Sequence, residues 1–449
     1  MSYASPYELK IVQLEIASLR SHGRDPWTYS KKLVKQYVRA IQRFRHMPPI
    51  LVSDDGEILW GRGHVEAAKQ LGWTTVPTLT LSHLNKVERQ AYVVAETKLA
   101  RNAGWDREIL AISLKELIDL DFDVEDIGFD LAEAELIIDA LDDADPASLD
   151  TPEDIVPRMT GAAVTRPGDR WNCGRHRLMQ GDARNPANFE FLMEGVKAHM
   201  AFSDPPYNVK IDGHVCGSGS IKHREFAFAS GEMDEGAFTS FLAVTLSNLS
   251  SMMRDGAIAF ICMDWRHLSE LLAAGDQAFT DLKNLIVWNK TNGGMGTFYR
   301  SKHELIFVFK VGTAEHVNNF GLGETGRYRT NVWDYPGISS MGANRSEELA
   351  MHPTVKPVAL IADAMRDCSR RGDIILDCFG GSGSTLIAAQ KTGRVARLME
   401  IDPAYCDVIV RRWEAFTGKR ATLAATGQTF EEVAELRLNE LSIAGDGHE

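Results

Sequence analysis

Short apolar runs and amphipathic stretches follow one another along most of this chain, a pattern that predicts alternating strands and helices. The clearest apolar run extends from Ala198 to Phe202 and predicts a buried strand. Comparable runs predict further strands at residues 177–180, 257–262, 285–288, 305–309, 373–377 and 395–399. An amphipathic helix is predicted at 238–253. Polar and glycine-rich residues follow several of these strands directly, and they carry the candidate chemistry.

The first hundred residues have a smaller pattern of their own. Apolar runs at 49–52, 58–60 and 76–79 predict strands, and Asp54-Asp55-Gly56-Glu57 is a hairpin turn signal between the first two. Gly61-Arg62-Gly63-His64 then opens a helix. On that turn, on Asp-Gly-Glu-Ile and on Glu66-Ala67-Ala68, the region from roughly 8 to 100 resembles a ParB/sulfiredoxin-type α+β domain.

The resemblance implies a role for the glycine-and-arginine turn. Members of that family use it to bind nucleotide phosphate or nucleic acid at a helix N-terminus, where free N–H groups and the helix dipole favour anions. Arg62 and His64 would make these contacts. Because the turn lacks the double arginine of the nucleotide-hydrolysing partition proteins, a structural role or a contact with a partner protein stays open.

Charge is spread unevenly along the chain. The net charge of −13 argues against a protein coated with positive charge, so contact with DNA requires a local basic surface. Residues 116–154 contain many acids and no Lys or Arg, and 142–154 predicts a solvated linker. Basic residues collect instead at 283–310 and 327–345. We therefore expect a domain boundary near residue 155.

Length and cysteine usage narrow the class of protein. A chain of 449 residues exceeds one ordinary core and indicates two or three domains. Its six cysteines are scattered without a Cys-x-x-Cys pair, which is typical of reduced thiols and predicts no metal site. There is no signal peptide and no apolar run approaching about 18 residues, so membrane insertion is not indicated and the cytoplasm is expected.

Ser203-Asp204-Pro205-Pro206-Tyr207, at the end of the predicted strand 198–202, is the first candidate site. Two consecutive prolines hold a turn rigid and leave their carbonyl groups free as acceptors. The Asp204 carboxylate and the Pro205 carbonyl could accept both hydrogens of an exocyclic amine, while Tyr207 offers a face on which a planar base can stack. By itself the same segment is also compatible with an ordinary turn after a strand.

A second constellation lies near the C-terminus. Asp377-Cys378-Phe379-Gly380-Gly381-Ser382-Gly383 follows a strand and precedes a helix, and its glycines permit close approach of a ligand to the backbone. The loop has no lysine of the Gly-Lys-Ser/Thr type, which excludes a phosphate P-loop. Glu400 ends the next strand, where an acid binds ribose hydroxyls. Such a unit could bind NAD, FAD or S-adenosylmethionine, and Asp402-Pro403 predicts a helix N-cap.

Taken together, the two loops resemble those of the DNA amino-methyltransferases. That family combines an (Asp/Asn/Ser)-Pro-Pro-(Tyr/Phe) loop with a Phe-x-Gly-x-Gly loop on one doubly wound sheet. Here the Pro-Pro loop comes first, followed by a variable basic region, His352-Pro353-Thr354-Val355-Lys356-Pro357 and the glycine loop. This order is similar to the permuted β group and covers about residues 165–420. The implied fold is an α/β, Rossmann-like methyltransferase sheet.

The resemblance also assigns roles. Asp204, Pro205, Pro206 and Tyr207 would form the catalytic loop, which orients the amine of a flipped base. S-adenosylmethionine is the implied cofactor, and the residues implied to bind it are Asp182, Thr354, Lys356, Asp377, Phe379, Gly381, Gly383 and Glu400. For Lys356, a solvated lysine between two prolines is the alternative.

The implied substrate is double-stranded DNA. Recognition would fall to segments within about 211–346, whose basic residues are Lys290, Arg300, Lys302, Arg327, Arg329 and Arg345. The Asp that opens the loop favours adenine N6 in the family. Cytosine N4, an RNA substrate, or a DNA-binding regulatory protein with a vestigial methyltransferase half are the alternatives. A homodimer and a nucleotide or protein partner of the N-terminal unit stay open.

The expected domains are four. They comprise a ParB/sulfiredoxin-like domain at 1–105, an acidic helical segment and linker at 106–154, a methyltransferase domain at 155–425 and a C-terminal helix and tail at 426–449.

Overall fold

The chain forms two compact units, Met1–Ala144 and Asp145–Glu449. The computed structural model describes residues 10–21, 28–102, 104–120, 122–142, 154–157, 162–209, 231–290, 293, 298–320, 329–337 and 355–445. Within these ranges, none of the helices combines the length and the apolar character needed to cross a bilayer.

The first unit is built on a five-stranded sheet. Its strands are β1 (Ile11–Glu15), β2 (Arg20–Ser21), β3 (Ile50–Val52), β4 (Glu57–Trp60) and β5 (Thr75–Thr80), in the spatial order β1-β5-β3-β4-β2. Its helices are α1 (Lys31–Phe44), α2 (Arg62–Gln70), α3 (Lys86–Asn102), α4 (Arg107–Asp119) and α5 (Leu131–Asp142). Short 3₁₀ turns occupy Ile16–Ser18 and Val124–Ile127.

Local signals account for these elements. Ser30 caps α1 by accepting a hydrogen bond from the Leu33 backbone N–H at 3.1 Å. The hairpin between β3 and β4 requires Gly56, whose φ is +78° and where an added Cβ would lie 2.8 Å from the carbonyl oxygen of Ser18. Apolar residues of α1, α2 and the central strands, including Val34, Ile50 and Val65, form one core of the unit.

Within the first unit, the acidic segment folds into a small helical subdomain with a core of its own. Leu114, Val124, Ala134 and Ile138 are buried together between α4, the 3₁₀ turn and α5. Its acids pair with basic residues of α1. These pairs are Arg39 with Glu125, Arg43 with Asp126 and Lys32 with Asp130. The acidic composition therefore complements the basic helix of the same unit.

The second unit is built on a ten-stranded sheet. Its strands are β6 (Arg170–Cys173), β7 (His176–Gln180), β8 (Ala198–Ser203), β9 (Met253–Met263), β10 (Asp281–Asn289), β11 (His303–Lys310), β12 (Val332–Asp334), β13 (Ile374–Asp377), β14 (Val395–Glu400) and β15 (Thr422–Leu423). Its helices are α6 (Pro186–Met193), α7 (Glu235–Ser251), α8 (Leu268–Ala278), α9 (Val358–Cys368), α10 (Ser384–Lys391), α11 (Pro403–Thr417) and α12 (Phe430–Gly445). A 3₁₀ turn, Trp265–His267, precedes α8.

Helices cover both faces of this sheet. Consecutive residues of the central strands point to opposite sides, so that Leu178 and Leu398 join one buried cluster while Met179 and Met399 join the other. Residues of α9, α10, α11 and α12 pack into the first cluster, and residues of α6, α7 and α8 pack into the second. The result is the doubly wound α/β architecture that the sequence predicts.

Strand order places the site. The order is β12-β10-β11-β9-β8-β13-β14-β7-β6-β15, and β9, β8, β13, β14 and β7 run parallel to their neighbours within this group. The chain leaves β8 toward β9 on one side and leaves β13 toward β14 on the other. The carboxyl ends of β8 and β13 therefore flank a topological switch point, where ligands bind in open α/β sheets.

A short strand lies within the region 211–346 to which the sequence assigns recognition. Val332–Asp334 forms β12, which pairs in parallel with the end of β10. This strand has only three residues, too short to show a periodic pattern. The part of the same region from 211 to 230 lies outside the described residues.

Candidate active site

The Asp204 loop begins directly after β8 and is fixed at its far end by Asn208. Asn208 has a left-handed φ of +53°, a conformation that asparagine tolerates better than most residues. Its side-chain amide donates to the Met233 carbonyl at 2.8 Å and accepts from the Gly231 N–H at 3.0 Å. The two prolines and this left-handed residue together explain how a tight loop can hold a carboxylate and an aromatic ring in place.

Asp204 is held by two groups. Its Oδ1 accepts a hydrogen bond from the Tyr207 hydroxyl at 2.6 Å, and its Oδ2 accepts from Lys356 Nζ at 2.7 Å. The Asp204 side chain is 21% exposed, so it borders the pocket without being solvated. Burial raises the pKa of Asp204, and Lys356 works in the opposite direction. The carboxylate is therefore aimed by its neighbours and keeps lone pairs for a further donor.

Glu304 and Lys290 complete the charged cluster, and sequence reasoning missed the role of both. Lys356 Nζ lies 3.0 Å from Glu304 Oε2, and Lys290 Nζ contacts Glu304 Oε1. Burial alone would raise the pKa of Glu304, but Lys356 and Lys290 lower it to about 2. Glu304 is the second residue of β11 and belongs to no recognisable motif. Only the pairing of β11 with β10 and β9 brings it to the site.

Asp377 ties the glycine loop to the Asp204 loop. Its carboxylate accepts hydrogen bonds from Ser203 Oγ at 3.0 Å, from Thr385 Oγ1 at 2.6 Å and from the Phe379 N–H at 3.0 Å. Burial raises the pKa of Asp377 to about 7 despite these donors. Because Ser203 ends β8 and Asp377 ends β13, the hydrogen bond between Ser203 and Asp377 spans the switch point.

Glu400, the last residue of β14, supports the glycine loop. One carboxylate oxygen accepts from the Gly381 N–H and the other from the Asp402 N–H, both at 2.8 Å. Burial raises the pKa of Glu400 to about 7, and these two backbone donors oppose the shift. Asp402 accepts from the Ala404 N–H at 2.9 Å, which confirms the predicted N-cap of α11.

A single pocket brings most of the predicted site residues together. Its lining includes the Asp204 loop, Asp182, Lys356 and the glycine loop together with Glu400. Gly383 is not part of the lining. It has a φ of +87° and ends the loop at the N-cap of α10, where an added Cβ would lie 3.1 Å from Ile409. Thr354 lies outside the described residues.

Two basic residues of the predicted set are held in ion pairs. Lys356 is only 4% exposed and ion-paired, so the alternative of a solvated lysine is wrong. Arg329 was expected to face DNA but pairs with Asp363 and Asp367, and its guanidinium lies 4.5 Å from the Trp333 ring centroid. Lys356 and Arg329 each form ion pairs with acidic residues that are distant in sequence.

Family models match two parts of the chain. Residues 198–411 match a DNA methylase model named N6_N4_Mtase, and residues 108–167 match a ParB-methyltransferase HTH domain. The first match lies within the second unit and includes both the Asp204 loop and the glycine loop. The HTH match includes the helical subdomain of α4 and α5. From sequence, this region was predicted only as an acidic helical segment.

The chain is similar to curated Type II methyltransferases. The chain is 39% identical to Type II methyltransferase M.ScaI of Streptomyces caespitosus over 90 residues, 20% of this chain and 30% of that protein. It is 23% identical to Type II methyltransferase M2.MboI of Moraxella bovis over 229 residues, 49% of this chain and 81% of that protein. The solved M1.HpyAVI–SAM complex is 18% identical, with a TM-score of 0.39, covering 52% of this chain and 97% of that chain.

The glycine-and-arginine turn of the first unit is packed among aromatic rings. The His64 ring centroid lies 4.4 Å from that of Tyr37 and 5.3 Å from that of Trp60, and burial lowers the pKa of His64. Arg62 places its guanidinium 5.4 Å from the Tyr29 ring centroid. These contacts give the turn a packing role, and its binding of a nucleotide stays a prediction.

Proposed function

We propose that this protein is a site-specific DNA methyltransferase that transfers a methyl group from S-adenosylmethionine to the N6 atom of an adenine flipped out of double-stranded DNA. One observation carries the proposal. The Asp204 loop, suited to an exocyclic amine, and the glycine loop with Glu400, suited to a nucleoside cofactor, line the same pocket. The N6/N4 methylase match independently supports amino-group methylation.

The residues of the pocket fit S-adenosylmethionine. An added Cβ on Gly380 would lie 3.2 Å from Ile409 Cδ1 and 3.3 Å from the Met399 carbonyl oxygen, so a side chain there would crowd the loop against its neighbours. Both Glu400 oxygens keep a lone pair beyond their backbone donors, and the residue lines the pocket, which suits ribose hydroxyls. When bound, the cofactor supplies an electrophilic methyl group and retains the electron pair of the broken carbon–sulfur bond.

Protein groups then position the base. Asp204 and the Pro205 carbonyl accept the amine hydrogens and direct the nitrogen lone pair toward the methyl group. Tyr207 provides the stacking face, and its hydroxyl is anchored on Asp204. The nitrogen becomes cationic as the new N–C bond forms and then releases one proton. Positioning and electrostatics supply the catalysis, and Asp204 need not be a strong base.

The choice of adenine depends on Asp204. In the amino-methyltransferases, an aspartate that opens the Pro-Pro loop most often accompanies adenine, whereas serine is more frequent with cytosine N4. A carboxylate can accept from the amine of either base, so the side chain favours adenine without excluding cytosine. Cytosine N4 is therefore the second candidate target.

Methyl transfer into nucleic acid tests the function. Purified protein is incubated with S-adenosylmethionine labelled in the methyl group and with unmethylated genomic DNA, and a matched reaction contains RNA. We expect label in the DNA. Asp204→Ala should abolish incorporation and leave cofactor binding by calorimetry within about twofold, because Asp204 faces the amine and not the glycine loop. Wild-type incorporation by Asp204→Ala would exclude the proposed role of the loop.

A further inference from the structure

Lys356 lies between two carboxylates inside the active site. Its Nζ is 2.7 Å from Asp204 Oδ2 and 3.0 Å from Glu304 Oε2, and its side chain is 4% exposed. The hydroxyl of Tyr207 lies 3.1 Å from the same nitrogen. Glu304 itself is 12% exposed, so water contributes little to screening this arrangement. Lys356 thus links the carboxylate that faces the base to one that does not line the pocket.

The charges of this cluster cancel. Asp204 and Glu304 are paired with Lys356 and Lys290, which gives two negative and two positive groups. Both lysines also lie near the Trp288 ring, with Lys290 Nζ at 4.5 Å and Lys356 Nζ at 5.8 Å from its centroid. The indole limits the space into which either ammonium could withdraw. Removing the charge of Glu304 would leave the cluster with a net charge of about +1.

That balance matters for the chemistry of an amine. The nitrogen that receives a methyl group is positively charged until it loses its proton. An uncompensated ammonium beside Asp204 would repel this charge, and in a desolvated site the repulsion is far stronger than in water. It would also weaken the ability of Asp204 to accept hydrogen bonds from the amine, because the carboxylate would serve as the only counter-ion of Lys356.

We propose that Glu304 is a positioning residue of the methyl-transfer reaction, acting as the counter-ion that holds Lys356 and keeps the Asp204 carboxylate available to the target amine. This inference rests on the proposed function and extends it to a residue on β11. Glu304 Oε2 also accepts a hydrogen bond from the Tyr207 hydroxyl at 3.3 Å, which the amide oxygen of a glutamine could accept as well, so the charge of Glu304 acts through Lys356. Its loss should therefore slow the chemical step without weakening cofactor binding.

Glu304→Gln separates this role from a structural one. The amide keeps the size of the side chain and removes its charge. We expect kcat for DNA methylation to fall about ten- to a hundredfold, while the dissociation constant for S-adenosylmethionine changes by less than about twofold. Glu304→Asp restores the charge and should recover most of the lost kcat. Asp281→Asn, which removes the exposed partner of Lys283 on the neighbouring strand β10, is the control and should leave kcat unchanged.

A double-mutant cycle tests the route through Lys356. In a Lys356→Met background, adding Glu304→Gln should lower kcat by a much smaller factor than in the wild-type background, because the ammonium group that contacts Asp204 is gone and only Lys290 is left without its counter-ion. An equal loss in both backgrounds, an unchanged kcat in the single variant, or loss of the folded state in thermal unfolding would each overturn the inference. If the wild-type protein methylates no DNA, the proposed function fails, and this inference falls with it.

Discussion

Ser203 Oγ donates a hydrogen bond to Asp377 Oδ1 at 3.0 Å, and this bond joins residues that are 174 positions apart in the chain. Both side chains are buried, with exposures of 0% and 3%. They terminate β8 and β13, the neighbouring strands that deliver the Asp204 loop and the glycine loop. The relative placement of the two halves of the site thus depends on a contact beneath the pocket.

Ser203→Ala should disturb this placement. The variant removes one of three donors to a buried carboxyl group, and we expect a loss of about 1 to 2 kcal/mol in the free energy of unfolding. Denaturant titration measures this change. Methyl transfer should fall more than cofactor binding, because Thr385 and the Phe379 N–H still hold Asp377. Ser240→Ala, whose hydroxyl bonds within its own helix, is the control, and equal stabilities of the two variants would contradict the role of Ser203.

Burial of Glu400 should couple stability and cofactor binding to pH. Its folded-state pKa is raised from 4.5 to about 7, so the protonated form stabilises the fold. The stabilisation is complete below the unfolded pKa and is lost as pH rises through about 7, a loss of about 1 to 3 kcal/mol. The free energy of unfolding, measured without cofactor from pH 5 to pH 8, should fall more steeply for the wild type than for Glu400→Gln.

Cofactor affinity should change in the opposite direction. Ionised Glu400 is the stronger acceptor for ribose hydroxyls, so binding of S-adenosylmethionine should tighten between pH 6 and pH 8. Glu400→Gln should bind more weakly at pH 8, by about 1.5 to 3 kcal/mol, and should lose this pH dependence. A wild-type affinity that stays constant across the range would rule out the assigned role of Glu400.

Because the chain forms two compact units, we expect the second unit to fold alone. A fragment 145–449 should unfold cooperatively and bind S-adenosylmethionine, since the large sheet and both of its helical layers lie within it. A fragment beginning at residue 155 loses the Asp154 carboxylate that accepts from the Val358 N–H at 3.0 Å, and it should be less stable. Circular dichroism and calorimetry check both. An unfolded 145–449 fragment would mean that the first unit is needed for folding.

The loops at the ends of β8 and β13 could be predicted from sequence because their signals are local. An apolar run followed by Asp-Pro-Pro-Tyr, or by a glycine cluster, identifies a strand and the turn after it. Parallel strands then place both turns at one edge of the sheet. The N-cap at Asp402 is a local signal of the same kind.

The charged support of the site could not be predicted this way. Antiparallel pairing of β10 and β11 brings Lys290 to Glu304, which in turn contacts Lys356, and no local pattern specifies which polar residue of a strand takes part in such contacts. The ion pairs of Arg329 could not be predicted either, because its partners Asp363 and Asp367 lie on a helix more than thirty residues later. Basic composition suggests DNA contact, whereas long-range ion pairs decide whether a given arginine is accessible.

Nucleoside analysis tests the central claim most directly. Unmethylated double-stranded DNA is incubated with the purified protein and S-adenosylmethionine deuterated in its methyl group, digested to nucleosides and examined by mass spectrometry, with Asp204→Ala in a parallel reaction. The account predicts deuterated N6-methyladenine with the wild-type protein and none with the variant. N4-methylcytosine as the only product would contradict the choice of adenine, and the absence of any labelled nucleoside would contradict the proposed activity itself.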